Sequence, residues 1–354
     1  MKMNDTSIAE RHDQTAARCG ETLLQIFSTC PQSRDSASDD YLRRVIEVAR
    51  WSEAVGCTGI LVYTDNSIVD PWLVAQIILQ NTERLCPLVA VQPVYLHPYA
   101  AAKMVASYAF VHRRRVYLNM VAGGFRGDLH ALSDPTDHDD RYARVQEYAL
   151  IIKRLLESPN PVTFEGRYHT VRNLRMTPPV PPELMPGMLM SGSSPAGLAT
   201  ARAIGATSII YPRPPGEEIP ASAAGLRRGA RIGVIARADS DEAWRIAHQR
   251  FPDNRRGRVL HQLAMTTSDS TWHKQLSDRP DEAGGEESPY WLWPFQTYKT
   301  FCPYLVGSFE QVVEYLALYL ARGYRTYILD IPHSYEDLEC ASTAFAAALA
   351  RSSR

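Results

Sequence analysis

Gly187-Met188-Leu189-Met190-Ser191-Gly192-Ser193-Ser194-Pro195-Ala196-Gly197 holds a strand, a tight turn and a helix start in one short stretch. Gly187 to Ser191 reads as a strand that follows the stiff, donor-poor run Pro178 to Pro186. Pro195 suits the first helical position, where a missing N–H is no loss. The helix continues to Ile204, and the next apolar run, Ser208 to Tyr211, reads as another strand. A strand, a crossover helix and a second strand form the unit from which parallel sheets are built.

The same alternation extends in both directions. Upstream, strands are expected at Thr22 to Thr29, Gly59 to Tyr63, Leu85 to Val91 and Val116 to Val121. Downstream they are expected at Ala230 to Arg237 and Thr326 to Leu329, which brings the total to eight. Between them lie a helix capped by Asp39 and Asp40 and ending at Gly56, then Pro71 to Leu79, Pro98 to about Phe110, and Arg141 to Leu156. Further helices start at Asp239, Phe309 and Glu336. The pattern leaves a doubly wound sheet open, but eight strands favour a closed (β/α)8 TIM barrel with insertions.

Residues 1–20 read as a flexible N-terminal segment and 21–354 as a single barrel domain. Phe164 to His169 reads as a hairpin-like excursion. Periodicity fails from Pro252 to about Phe301, so 252–301 is read as a lid-like insertion. Within it, Trp291 to Lys299 offers aromatic walls and one cation, or else a packing cluster.

A formal net charge of −1 argues against a nucleic-acid or anionic-membrane surface. Arg113-Arg114-Arg115 is the sharpest basic run and reads as a solvated helix end. The six cysteines show neither CxxC pairs nor zinc spacing, as in a reduced cytosolic enzyme. No apolar run approaches a membrane span, so a soluble, cytoplasmic protein is expected. His97, His130, His138 and His169 are too scattered for a metal site, and no GxSxG elbow is present.

In a barrel of this kind the active site is built at the C-terminal ends of the strands. The candidate loops are therefore Thr64 to Asn66, Gln92-Pro93, Asn119 to Phe125, Ser191 to Ser194, Tyr211 to Arg213 and Asp330 to Ser334, with Arg231 a weaker member. The turn at Gly192, Ser193 and Ser194 has small residues, hydroxyls and a helix N-terminus, all of which suit a phosphate. An ordinary serine-rich helix cap has the same composition.

Ser191 to Gly197, followed by Ala201 and Ala206, resembles the fifth-strand signature of the bacterial luciferase-like flavin monooxygenases, and of the alkanesulfonate branch in particular. Trp51 to Leu61 with Asp70 to Ala75, Asn119 to Gly124 with Asp137 to Tyr142, and Leu305 to Ser308 with Ile328 to Glu336 resemble that family in the same order.

The resemblance implies a monooxygenase that takes reduced flavin mononucleotide (FMNH2) from a separate flavin reductase. It would react this with O2 through a flavin C4a-peroxide and oxygenate a small organic substrate, such as a biosynthetic tailoring intermediate. It implies that Ser193, Ser194 and Tyr142 meet the flavin phosphate, and that Asn119, Val121 and Ala122 face the ring. Gln92, at a peptide strained in the family, would lie against the ring, and Thr64 belongs to the same cofactor set.

His333 and Arg231 take the positions of catalytic residues, His333 near substrate and Arg231 near a developing anion. Their structural alternatives are a helix-start histidine and an ion-paired arginine. The family's dimers imply a homo-oligomer, with the apolar helices after strands two and three as the interface.

Ile68, Gly233 and Ile331 depart from the branch, which has cysteine, histidine and tyrosine there. This puts sulfonate chemistry in doubt and suggests a more apolar substrate end. A deazaflavin-dependent hydride-transfer enzyme and a non-catalytic flavin-binding barrel are the alternatives.

Overall fold

The computed structural model describes residues 24–124, 126–217, 224–254, 257–259, 261–263 and 288–352. β1 (Gln25–Thr29) is followed by α1 (Ser38–Ala54), β2 (Gly59–Val62), α2 (Pro71–Asn81), β3 (Cys86–Val91), α3 (Pro98–His112) and β4 (Tyr117–Met120). A short α4 (Arg126–Ala131) and the long α5 (His138–Glu157) lead into an antiparallel pair, β5 (Val162–Glu165) and β6 (Thr170–Leu174). The barrel resumes with β7 (Gly187–Ser191), α6 (Pro195–Ile204), β8 (Thr207–Ile210), β9 (Arg228–Arg237) and α7 (Ser240–Arg250). Next come β10 (Tyr290–Trp291), α8 (Trp293–Gln296), β11 (Tyr304–Ser308), α9 (Phe309–Ala321), β12 (Tyr324–Leu329) and α10 (Tyr335–Ser352).

Strands β1, β2, β3, β4, β7, β8, β9 and β12 pair in parallel in that order, and β12 returns to β1. The expected eight-stranded barrel is therefore the fold. β9 is the long strand. Its first half pairs with β8 and β12, while its second half, Gly233 to Arg237, pairs with β11.

Inside the barrel, Phe27, Leu61, Leu88, Tyr117, Leu189 and Ile328 pack into one buried cluster. Side chains alternate across a strand with a period of two. The same inward face thus carries Tyr63 beyond Leu61, Gln92 beyond Ala90, Asn119 and Val121 beyond Tyr117, Ser191 beyond Leu189, and Asp330 beyond Ile328. The hydrophobic floor and the polar upper layer are two stretches of one register.

The strand-turn-helix at 187–204 forms with the bounds expected of it. Other expectations need correction. Asp39 and Asp40 do not cap α1; its N-cap is Ala37, and they sit in the first turn, where negative charge favours the helix dipole. α5 begins at His138 instead of Arg141, with Asp139 and Asp140 in its first turn.

Arg114 is not a solvated helix end. Its guanidinium donates to the carbonyls of Thr82 and Leu85, pinning the loop before β3. Tyr290, Trp291, Leu292 and Phe295 are buried, and Trp291 packs against Trp244 and Phe251. That aromatic run is core, not a cavity wall. The N-terminal segment 1–20 and most of the lid-like segment lie outside the described residues.

Glu53, near the end of α1, clamps the loop that enters β3. Its carboxylate accepts from the backbone N–H groups of Glu83, Arg84 and Leu85, the last at 2.9 Å. Burial pushes this carboxyl up, but the three amides and Arg114 outweigh it and hold its pKa below the usual value. Glu53→Ala is expected to lower the unfolding free energy by about 1–2 kcal/mol, a figure discounted for the loop's access to water. A urea midpoint unchanged from the parent would contradict the clamp.

Candidate active site

The upper layer of the barrel opens into a cavity of about 210 Å³. A single water needs about 10–15 Å³ on such a measure, so the space is ligand-sized. Thr64, Gln92, Asn119, Val121, Ala122, Tyr142, Gly192, Ser193, Ser194 and Arg231 all line it. The fold thus brings together every residue expected to bind cofactor, with one of the two expected catalytic residues.

At one end stands the turn between β7 and α6. Ser194 is the N-cap of α6, accepting from Gly197 N–H at 3.1 Å, and Pro195 follows at the first helical position. Gly192 has φ +148°, a conformation that L side chains rarely adopt. A Cβ there would stand 2.5 Å from the Tyr142 hydroxyl, so the turn presses its backbone onto that tyrosine.

Tyr142 is buried on the first turns of α5. Burial raises the pKa of its phenol, against the opposing pull of a hydrogen bond with Ser194, so it remains a donor at neutral pH. His138, at the start of α5, packs edge-on against the Tyr142 ring at 5.0 Å and also lines the cavity. The sequence alone does not single it out for the site, although it stands within the Asp137 to Tyr142 stretch.

The Ser193 hydroxyl is the telling atom here: it is buried and has no hydrogen-bond partner among the described residues. An unmet buried hydroxyl beside a helix N-terminus and a tyrosine hydroxyl fits an anionic group such as a phosphate.

Along the barrel wall, Ser191 Oγ donates to Asn119 Oδ1 at 2.9 Å, which fixes the amide so that its NH2 group is the end left to serve a ligand. Val121 N–H is bonded to Val91 C=O at 2.9 Å, anchoring the loop that carries Ala122. Gln92 is buried. Gly123, at φ +91°, lets it approach, since a Cβ there would lie 3.0 Å from Gln92 Nε2. The cis bond among the described residues is Thr177–Pro178, and no positive φ falls at 90–93.

Arg231 is buried at the other end. Its guanidinium lies 4.9 Å from the Tyr63 ring centroid and 3.8 Å from Asp330 Oδ1. His333 is not in this cavity. It is exposed beside a smaller cleft lined by Gly233, Arg250, Asp330, Ile331 and Asp337, with Phe251 packed edge-on at 6.3 Å. Desolvation by the surrounding protein, and then the charge of Arg250, lower its pKa.

The three departures do not share one space either. Ile68 lines an adjoining cavity behind Thr64 and Gln92, whereas Gly233 and Ile331 line the His333 cleft. Among the described residues no three His, Cys, Asp or Glu side chains converge as a metal site. No helix of the described residues is long and apolar enough to cross a membrane.

Comparison with known proteins agrees with this fold. A relative from Niallia circulans, 4-(gamma-L-glutamylamino)butanoyl-[BtrI acyl-carrier protein] monooxygenase, is 34% identical over 307 residues, covering 84% of this chain and 89% of that protein. The EDTA monooxygenase of Chelativorans superposes with a TM-score of 0.71 at 15% identity, over 93% of this chain and 94% of that one. The oxygenating constituent of 3,6-diketocamphane monooxygenase from Pseudomonas putida, solved in complex with FMN, gives 0.66 at 17% identity, over 92% and 98%. These two structures are similar in fold. The luciferase-like monooxygenase family model matches residues 23–326, and the chain belongs to that family.

Proposed function

We propose that this luciferase-like monooxygenase uses FMNH2, delivered by a separate flavin reductase, and O2 to oxygenate a small organic substrate in a biosynthetic tailoring step. The observation that carries the reading is the unpartnered Ser193 hydroxyl beside Ser194, Tyr142 and the backbone of Gly192. These residues would hold the phosphate. Asn119, Val121, Ala122, Gln92 and Thr64 would hold the ring in the barrel mouth.

Reduced flavin, when bound, supplies the electrons that activate dioxygen. The chain supplies orientation, exclusion of water and, at Arg231, a fixed positive charge. The relative's activity on a carrier-tethered acyl group supports an acyl substrate with polar ends. It does not support an alkanesulfonate. Exposed Leu73, Phe110 and Val111 on α2 and α3 support a homo-oligomer.

Anaerobic titration with FMN and with photoreduced FMN, followed by flavin fluorescence and absorbance, tests the reading. Binding of the reduced form is expected, weakened by Ser193→Ala and Tyr142→Phe. If neither redox state binds, the reading fails.

A further inference from the structure

Arg231 is buried and Asp330 nearly so, with side chains 10% and 13% exposed; they are close and opposite in charge, yet they are not hydrogen-bonded. Their nearest approach is 3.8 Å, whereas a charge-assisted N–H···O bond closes to about 2.7–2.9 Å. Arg231 Nε and Nη2 are both buried without a partner among the described residues. A buried guanidinium normally spends its donors. Something holds the carboxylate back.

The restraint comes from β11 and the loop before it. Tyr304 is the register partner of Gly233, two residues beyond Arg231 on the same inward face of β9. A Cβ at position 233 would stand 2.3 Å from the Tyr304 ring, so this ring occupies the space that a side chain there would fill. From that place its hydroxyl donates to Asp330 Oδ2 at 2.8 Å, and Thr300 Oγ1 donates to the same oxygen. Phe251 backs the ring at 5.0 Å, and the residue is buried. Two hydroxyls thus secure one carboxylate oxygen, while the other faces Arg231 at a distance that neutralises charge without using donors.

We propose that Tyr304 is a positioning residue for Arg231. It holds Asp330 in check so that the guanidinium keeps two donors for a negatively charged oxygen group in the cavity. This rests on the cavity being the oxygenation site. The group is either a carboxylate of the substrate or an anion formed from oxygen. Gly233 is then required as the opening through which Tyr304 reaches Asp330.

Bromide-soaked crystals of the parent, Tyr304→Phe and Thr300→Val test the proposal without cofactor. In the parent, bromide is expected against Arg231. In each variant Asp330 is expected to close on Arg231 to hydrogen-bond distance, with bromide occupancy lost. Absence of bromide at Arg231 in the parent, equal occupancy in all three, or an unmoved Asp330 would overturn it.

Reoxidation of photoreduced FMN without substrate separates the two anion sources. Several-fold faster peroxide release in Tyr304→Phe assigns the anion to oxygen, and unchanged release assigns it to the substrate. Loss of FMN binding in the parent with the bromide pattern intact would remove the proposed cofactor and leave the anion site.

Discussion

Asp337→Asn is expected to lower the unfolding free energy by about 3–5 kcal/mol, the cost of removing one partner from a buried ion cluster. Asp337 Oδ1 accepts from Arg237 Nη2 and from Arg250 Nη2, both at 2.7 Å, and the Asp337 and Arg237 side chains are each 6% exposed. Arg237 ends β9, Arg250 ends α7, and Asp337 lies in the first turn of α10 with its backbone N–H on Ser334 Oγ. The carboxylate therefore joins three elements on the flank of the barrel that carries Asp330. Asparagine keeps the shape but leaves two arginines in low dielectric without the carboxylate that they share.

The same group sets a pH dependence. Burial pushes its carboxyl up, but the hydrogen bonds and charges of Arg250 and Arg237 outweigh burial and hold the pKa below the ordinary value. Because the folded value is the lower one, unfolding takes up a proton between the two pKa values. The contribution is full above about pH 4, the ordinary aspartate value, and disappears as pH falls through the lowered folded one. Urea melts of the parent and Asp337→Asn should differ by a constant amount from pH 5 to 7 and converge below about pH 4. A difference that grows toward acid would reverse the assignment.

The barrel and the cavity were legible in the sequence to different depths. Strand register needs only a period of two, so Leu61 to Tyr63, Ala90 to Gln92 and Tyr117 to Val121 could be read outward from apolar runs. The Ser194-Pro195 cap is likewise local chemistry. Tyr304 was not legible. Its role depends on β11 lying in register with the second half of β9, a pairing between residues 71 apart, and on a glycine whose value is the space it leaves. The placement of His333 was not legible for a related reason. Its position after the eighth strand suggested the main cavity, but Arg231 and Asp330 stand between that cavity and the cleft in which His333 sits.

Gly192→Ala should weaken FMN binding at least ten-fold, more than removal of any single hydroxyl at the same turn. At φ +148° an L residue carries strain on the order of 1–3 kcal/mol. The added methyl would also meet the Tyr142 hydroxyl at 2.5 Å. Either the turn relaxes, drawing Ser193 out of line, or Tyr142 is driven from the cavity. Both outcomes break the proposed phosphate cradle, and about 1.4 kcal/mol suffices for ten-fold.

Ser193→Ala removes one donor and should cost less, because Ser194 and Tyr142 stay in place. Gly127→Ala on α4, where an added methyl meets open space, serves as the control and should bind FMN as the parent does. Fluorescence titration measures all three affinities, and near-UV circular dichroism reports whether Tyr142 has moved. If Gly192→Ala binds FMN as tightly as the parent while the Tyr142 signal has shifted, the phosphate does not sit at this turn.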